Sequence, residues 1–306
     1  MSHLAVAGLQ LDLQAGDNLD RIADEVGAVK RRMPWIDVVL LGELACFGPS
    51  VAAAQPAQGA AEQRLQQIAR DNGVWFVPGS IFEMRDGRVF NTAPVIDPSG
   101  AVIARYRKAY PFRPYEAGVD DGAEWVVFDI PGAGRIGVSI CYDMWFPETT
   151  RTLAWMGAEV ILHPTMTNTV DRDVELAIAR ASAAQNQCYF VDVNVAGGLG
   201  NGRSVVCGPG GELVYEAGTG RDIIVVELDL GYLRRVRERG WHGLGQTLKS
   251  FRDGPRSFPP YEGGRSAALD ALGPLATPGA RAPGPTAEAP DEERDNKSHF
   301  IAGGER

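Results

Sequence analysis

A chain of 306 residues, 44% of them hydrophobic, is long enough to bury a large core. Its net charge of −9 lacks the basic footprint of a nucleic-acid or anionic-membrane binder, and no apolar run reaches the roughly 18 residues that span a bilayer. The opening Met1–Gln10 shows neither a charged leader nor a cleavage site, and Cys46, Cys141, Cys188 and Cys207 are scattered without a Cys-x-x-Cys pair, so the expectation is a soluble, cytoplasmic protein with reduced thiols.

In chain order, Leu4–Leu9 reads as a strand and Asn18–Arg32 as an amphipathic helix with Leu19, Ile22, Val26 and Val29 on one face. Val38–Leu41 is a buried strand, Ala61–Asn72 a helix and Val74–Pro78 a strand. Arg88 to Tyr106 holds two strands around the turn Asp97-Pro-Ser-Gly100. Trp125–Ile130 and Ile136–Ile140 pair across a Pro/Gly turn. A helix over Pro147–Met156, a strand at Val160–Leu162 and an Ala-rich helix over Asp173–Gln185 follow. Strands at Tyr189–Val193, Gly202–Val206, Leu213–Ala217 and Ile223–Glu227 complete the pattern. Helices alternating with strands and hairpins predict an α/β fold with a mixed sheet architecture and helices packed outside. From Gly263 onward Pro, Gly, Ala and charged residues displace any periodicity. The chain therefore divides into a domain over 1–262 and a tail over 263–306, disordered or ordered only against a partner subunit.

Cys141 ends an apolar strand and is followed by Tyr-Asp-Met-Trp-Phe-Pro147-Glu148, a sharp turn with a helix starting near Pro147. A thiol at such a junction lies near backbone N–H groups that favour negative charge, though a cysteine there also serves as a buried space-filler. Glu43 follows the strand Val38–Leu41, where a carboxylate either has a task or turns to water at the edge. Lys108 lies in a basic cluster after a strand, ordinarily a solvated loop, and Glu116 in a Pro/Gly-shaped loop that says little alone.

Taken together, a strand-end Glu, a Lys, a second Glu and a strand-end Cys, in that order, resemble the nitrilase, or carbon–nitrogen hydrolase, superfamily. The resemblance runs from about Leu4 to Arg252 and includes Gln10 on the opening strand, Tyr106-Arg-Lys108, Cys141-Tyr-Asp143 with Phe146-Pro-Glu148, and Ala179-Arg-Ala-Ser-Ala-Ala-Gln-Asn186. It implies a four-layer α-β-β-α sandwich and carries the catalytic roles onto Glu43, Lys108, Glu116 and Cys141. It further implies a homodimer or larger homo-oligomer, with the segment after Arg252 as an arm that crosses to a neighbour. The chemistry it implies calls for no cofactor and no metal, and the partner is a small-molecule amide. A thiol with an ordinary pKa of about 8.5 needs a base. Glu43 would take its proton as Cys141 attacks the amide carbon, then return it to the departing ammonia. Lys108 and the backbone N–H after Cys141 would hold the oxyanion. Water activated by Glu43 would then hydrolyse the thioester, while Glu116 orients Lys108 or the amide.

Other chemistries fit less well. A cysteine–histidine hydrolase needs a placed imidazole. His3 and His299 are terminal, and neither His163 nor His242 lies in a thiol-hydrolase motif. Gly197-Gly-Leu-Gly200-Asn-Gly202 faintly resembles a phosphate loop, but strand rather than helix follows it, so it reads as a turn. A catalytically silent scaffold would have no need of all four residue types. Within the superfamily, Cys141-Tyr142-Asp143 departs from the Cys-Trp-Glu of nitrilases, which favours amides. N-carbamoyl amino acid hydrolases, which release CO2 and ammonia, carry two arginines where Met144 and Trp145 stand. An apolar or aromatic amide therefore fits better than a carboxylate, with Arg113 as an alternative source of positive charge. Tyr142, Trp145, Thr167 and Asn168 are the candidate substrate contacts. For the last two, capping of the following helix is an equal reading. Gly42 replaces the more common Pro before Glu43.

Overall fold

The computed structural model of the chain describes residues 3–254, 256–262, 266–272 and 275–276. The first strand, His3–Gln10, is apolar almost throughout because both of its faces are covered. Its period of two sends Leu4 and Val6 into one core and Ala5, Ala7 and Leu9 into another. Val38–Leu41 divides in the same way, Val38 and Leu40 to the first core and Val39 and Leu41 to the second.

His3–Gln10 pairs antiparallel with Asp222–Asp229 and parallel with Val38–Leu41. The sheet continues through Trp75–Val77, Arg88–Ile96, Ile81–Arg85 and Gln55–Pro56, with Val102–Arg107 also on Arg88–Ile96. A second sheet runs Leu213–Glu216, Val205–Cys207, Tyr189–Asn194, Val160–Thr165, Arg135–Val138, Val126–Asp129. Its residues Ile136, Val138, Val160, Leu162, Val191 and Val193 share the first core with Leu4, Val6, Val38 and Leu40, so that core lies between the two sheets. On the outer faces, Ile22 and Val26 of the helix Leu19–Arg32 and Leu65 and Ile68 of the helix Ala60–Asn72 pack on the first sheet. Leu153 of the helix Pro147–Trp155 and Ala179 and Ala183 of the helix Arg172–Asn186 pack on Ile161 and Phe190 of the second. The result is a four-layer α-β-β-α sandwich.

The predicted elements lie where expected to within a few residues. The strand expected over Gly202–Val206 is Val205–Cys207, because Gly202 turns at φ +66° and Ser204 spends its backbone N–H on the Gln10 side chain. Among the elements that come from the structure alone are the strand Ile81–Arg85, the two-residue strand Gln55–Pro56 and the helices Leu230–Arg239 and Thr247–Asp253. Apart from residues 266–272 and 275–276, the tail expected over 263–306 lies outside the described residues. Among the described residues no helix is long and apolar enough to cross a membrane.

Candidate active site

Parallel strands release their carbonyl ends toward one edge of a sheet, where ligands commonly bind. Val38–Leu41 delivers Glu43 there, and Arg135–Val138 delivers Cys141. Between strand and carboxylate, Gly42 passes so close to the second sheet that an added Cβ would stand 2.7 Å from Val195 Cγ2 and 2.8 Å from Thr165 O. The glycine that replaces proline thus lets the two sheet ends touch, and the Glu43 N–H then donates to Thr165 O at 3.0 Å.

Glu43 and Lys108 are both buried. Lys108 Nζ donates to Glu43 Oε1 at 2.8 Å and to Glu116 Oε2 at 2.7 Å. Asn91 spans the same two carboxylates, its Nδ2 donating to Glu43 Oε1 at 2.8 Å and to Glu116 Oε1 at 3.0 Å. Phe112 N–H adds a further bond to Glu116 Oε2. Glu43 Oε2 therefore takes no bond from Lys108 or Asn91, and Cys141 is near enough for its thiol to favour the ionised form of this carboxylate. Burial raises the Glu43 carboxyl above its ordinary value, against the pull of Lys108. Burial acts on Glu116 too, but the Lys108 charge and the hydrogen bonds it collects outweigh it and hold its carboxyl low. The neighbouring carboxylates more than offset the burial of Lys108 and keep its ammonium protonated.

Cys141 is a non-glycine residue at φ +45°, in the left-handed region, so the chain turns sharply at the nucleophile candidate. Asp143 holds this turn. Its Oδ2 accepts from Ile140 N–H at 2.9 Å and from Tyr106 OH at 2.7 Å, and its Oδ1 accepts from Tyr110 N–H at 2.9 Å. The carboxyl is buried and pushed up to about 6, despite those donors. Cys141 opens a short 3₁₀ turn, Cys141–Trp145, and the α-helix begins at Pro147, as the sequence leads one to expect. Burial, reinforced by the Glu43 charge, pushes the thiol well above its usual range. The resting thiol is neutral and depends on a base.

The candidate substrate contacts divide. Tyr142 joins an aromatic group, with its ring 4.9 Å from Phe112, 5.3 Å from Phe146 and 6.3 Å from Trp145. Trp145 is partly exposed. Asn168 is exposed, whereas Thr167 is buried with its Oγ1 4.0 Å from Cys141 Sγ. The helix Arg172–Asn186 carries no side-chain cap, so neither residue has the capping task. Arg113 is engaged by Asp121 at 2.9 Å and Val119 O at 2.8 Å. His163 is buried and hydrogen-bonded to Ser139 Oγ at 2.7 Å, and burial pushes its imidazole down to about 4. No group of three or more His, Cys, Asp or Glu among the described residues could hold a metal ion.

Sequence reasoning did not single out Asn91, Arg172, Glu175 or Asp192. Asn91 and Asp192 each interrupt a buried strand with a polar side chain that needs a partner. Arg172 and Glu175, three apart on a helix, form an ion pair at 3.1 Å that is almost wholly buried. For Asn91 and Asp192 a polar residue inside an apolar run was the available signal, and Arg172 and Glu175 carried none.

A family model described as carbon-nitrogen hydrolase matches residues 3–238. The chain is 29% identical over 247 residues to a 2-oxoglutaramate amidase of Bacillus subtilis, covering 76% of this chain and 93% of that one. The structure of Saccharomyces cerevisiae Nit3, a member of the nitrilase superfamily, superposes with a TM-score of 0.71 at 28% identity, over 78% of this chain and 94% of that one. An amidase from Nesterenkonia sp. AN1, with the acetamide moiety of fluoroacetamide covalently added at its active-site cysteine, gives a TM-score of 0.69 at 30% identity, over 78% and 95% of the two chains.

Proposed function

The chain belongs to the carbon-nitrogen hydrolase family and is an amidase-type hydrolase, and from that premise we propose that it cleaves a small uncharged amide to ammonia and a carboxylic acid through a thioester on Cys141. The observation that carries this reading is the commitment of Lys108 and Asn91 to a single oxygen of Glu43, with the thiol near the same carboxylate. Glu43 takes the thiol proton as sulfur attacks the carbonyl carbon. The oxyanion is met by the Lys108 ammonium and the N–H of Tyr142, the residue after the nucleophile. Glu43 returns the proton to the leaving nitrogen, ammonia departs, and the carbonyl re-forms as the thioester. Water deprotonated by Glu43 then adds to that carbon, and the thiol leaves with the proton. Glu116 and Asn91 hold Lys108 and Glu43 in register throughout.

Met144 is buried and Arg113 is tied to Asp121, so a substrate carboxylate would meet no guanidinium fork beside the cysteine. The aromatic group around Tyr142 offers instead a surface for an apolar or aromatic acyl chain. The test is ammonia release from butyramide, benzamide, 2-oxoglutaramate, an N-carbamoyl amino acid and a nitrile, beside a Cys141→Ala control. The reading expects release from the uncharged amides that vanishes in the control. Turnover confined to 2-oxoglutaramate would leave the thioester route and overturn the uncharged substrate. Turnover confined to the carbamoyl compound would replace the amide altogether, and release that survives Cys141→Ala would overturn the thioester route.

A further inference from the structure

Behind Cys141 lies a second buried ionic cluster that the reaction above does not use. Thr167 Oγ1 donates to Glu175 Oε1 at 3.0 Å, and Glu175 Oε2 accepts from Arg172 Nη1 at 3.1 Å. Arg172 Nη2 donates to Asp192 Oδ2 at 2.5 Å, and Asp192 Oδ1 accepts from Thr165 at 2.6 Å. Asn194 fixes the backbone of Thr167 as well, accepting from its N–H at 2.8 Å and donating to its carbonyl at 2.9 Å. Thr167 is thus held at three points, and its hydroxyl oxygen stands 4.0 Å from the Cys141 sulfur, the outer limit of a sulfur hydrogen bond. Burying these charges is costly, and what they fix is the wall against the nucleophile.

A hydroxyl has one hydrogen, and an ionised carboxylate can only accept. We propose that Glu175 is a positioning residue for the nucleophile: by holding the hydrogen of the Thr167 hydroxyl, it leaves Thr167 only a lone pair to present to the Cys141 sulfur, so the resting thiol keeps its proton until Glu43 removes it. The Glu175 charge also opposes a thiolate at Cys141, in the same direction. The other charges facing the sulfur are Glu43 and Lys108, with Glu116 behind Lys108. Arg172 and Asp192 face Glu175, and neutral His163 lies beneath the Cys141 turn.

Glu175→Gln reverses the polarity. Arg172 can only donate, so the glutamine must turn its oxygen to Arg172 and its amide N–H to Thr167. The Thr167 hydrogen is then released toward sulfur, where it stabilises the thiolate. The inference rests on Cys141 as the nucleophile of the proposed function, but its test needs no substrate. It is the pH dependence of Cys141 alkylation by iodoacetamide, in which the thiolate sulfur forms the new C–S bond and iodide leaves, read by mass spectrometry of the Cys141 peptide in the full-length chain. Glu175→Gln is expected to move the profile toward acid by about 1–2 pH units, the size of a hydrogen bond to a charged group. In a Thr167→Val background the same substitution should move it by only a few tenths. Thr167→Ser should match the wild type, while Thr167→Val, which removes the lone pair, should shift the profile modestly toward acid. An unchanged profile in folded Glu175→Gln would overturn the proposal, and so would an equal shift in the Thr167→Val background, which would assign the effect to charge alone. If Glu175→Gln does not fold, identical profiles for Thr167→Val and Thr167→Ser would overturn it instead.

Discussion

Two buried clusters flank Cys141, and each contains two carboxylates and one cation. On the first-sheet side Lys108 joins Glu43 and Glu116. On the helix side Arg172 joins Glu175 and Asp192. The second cluster is closed: all four of its carboxylate oxygens accept a hydrogen bond from Thr165, Thr167 or Arg172. The first is left open at one point, because Lys108 and Asn91 both bond Glu43 Oε1 and leave Oε2 to the thiol side. A closed cluster fixes geometry, and an open one can exchange a proton. The choice of cation follows the same division. Arginine's planar fork sets one nitrogen on each carboxylate at a fixed spacing, whereas the lysine ammonium is a compact charge that can hold two carboxylates and still meet an oxyanion.

The largest expected effect separates the clusters by activity. Glu43→Gln should leave the fold intact and lower kcat by about 10²–10⁴-fold, the range for loss of a general base, as measured by steady-state ammonia release. A kcat near wild type would remove Glu43 from the proton path. Stability comes next. Arg172→Met leaves Glu175 and Asp192 buried without their cation and should cost about 3–5 kcal/mol in denaturant unfolding. Arg172→Lys should recover only part of this, since one ammonium cannot reproduce the fork. An Arg172→Met chain as stable as wild type would show that the closed cluster is not a frame.

A third prediction concerns pH. His163 is pushed down to about 4 in the folded chain, against about 6.5 when unfolded. At high pH both states are neutral and the residue contributes nothing to the pH dependence. As pH falls below about 6.5 the unfolded chain takes up a proton that the folded chain refuses, so stability is lost progressively toward pH 4, by about 3 kcal/mol. His163→Asn, which keeps a partner for Ser139, should flatten that slope in denaturant titrations at successive pH values. A slope unchanged by the substitution would assign the acid sensitivity elsewhere. The smallest effect is expected at the turn itself. Tyr106→Phe removes one of three donors to Asp143 and should cost about 1–2 kcal/mol, visible as a modest fall in melting temperature.

The strands that carry the site were legible because they are buried on both faces and read as unbroken apolar runs, as Val38–Leu41 does. The strand Ile81–Arg85 was missed because only its first three residues are buried. Its signal was Asp86-Gly87, both at positive φ, the residue pair that two-residue hairpins favour. The helix Leu230–Arg239 was missed as well, and its signal was Asp229, which caps it by accepting from Tyr232 N–H at 2.8 Å. Glu43, Lys108, Glu116 and Cys141 were chosen from their order along the chain, and the structure brings them to one place. Asn91 and Asp192 were marked only as polar residues inside buried strands, and Arg172 and Glu175 not at all, because the partners of all four come from strands and helices far apart in sequence.

The account turns on a covalent intermediate at Cys141, and its most direct test is the intact mass of the chain quenched in acid during turnover of an amide it hydrolyses. The account predicts a population heavier by the acyl group, mapped to the Cys141 peptide and absent in Cys141→Ala. Steady ammonia release with no such adduct, continuing in Cys141→Ala, would contradict it.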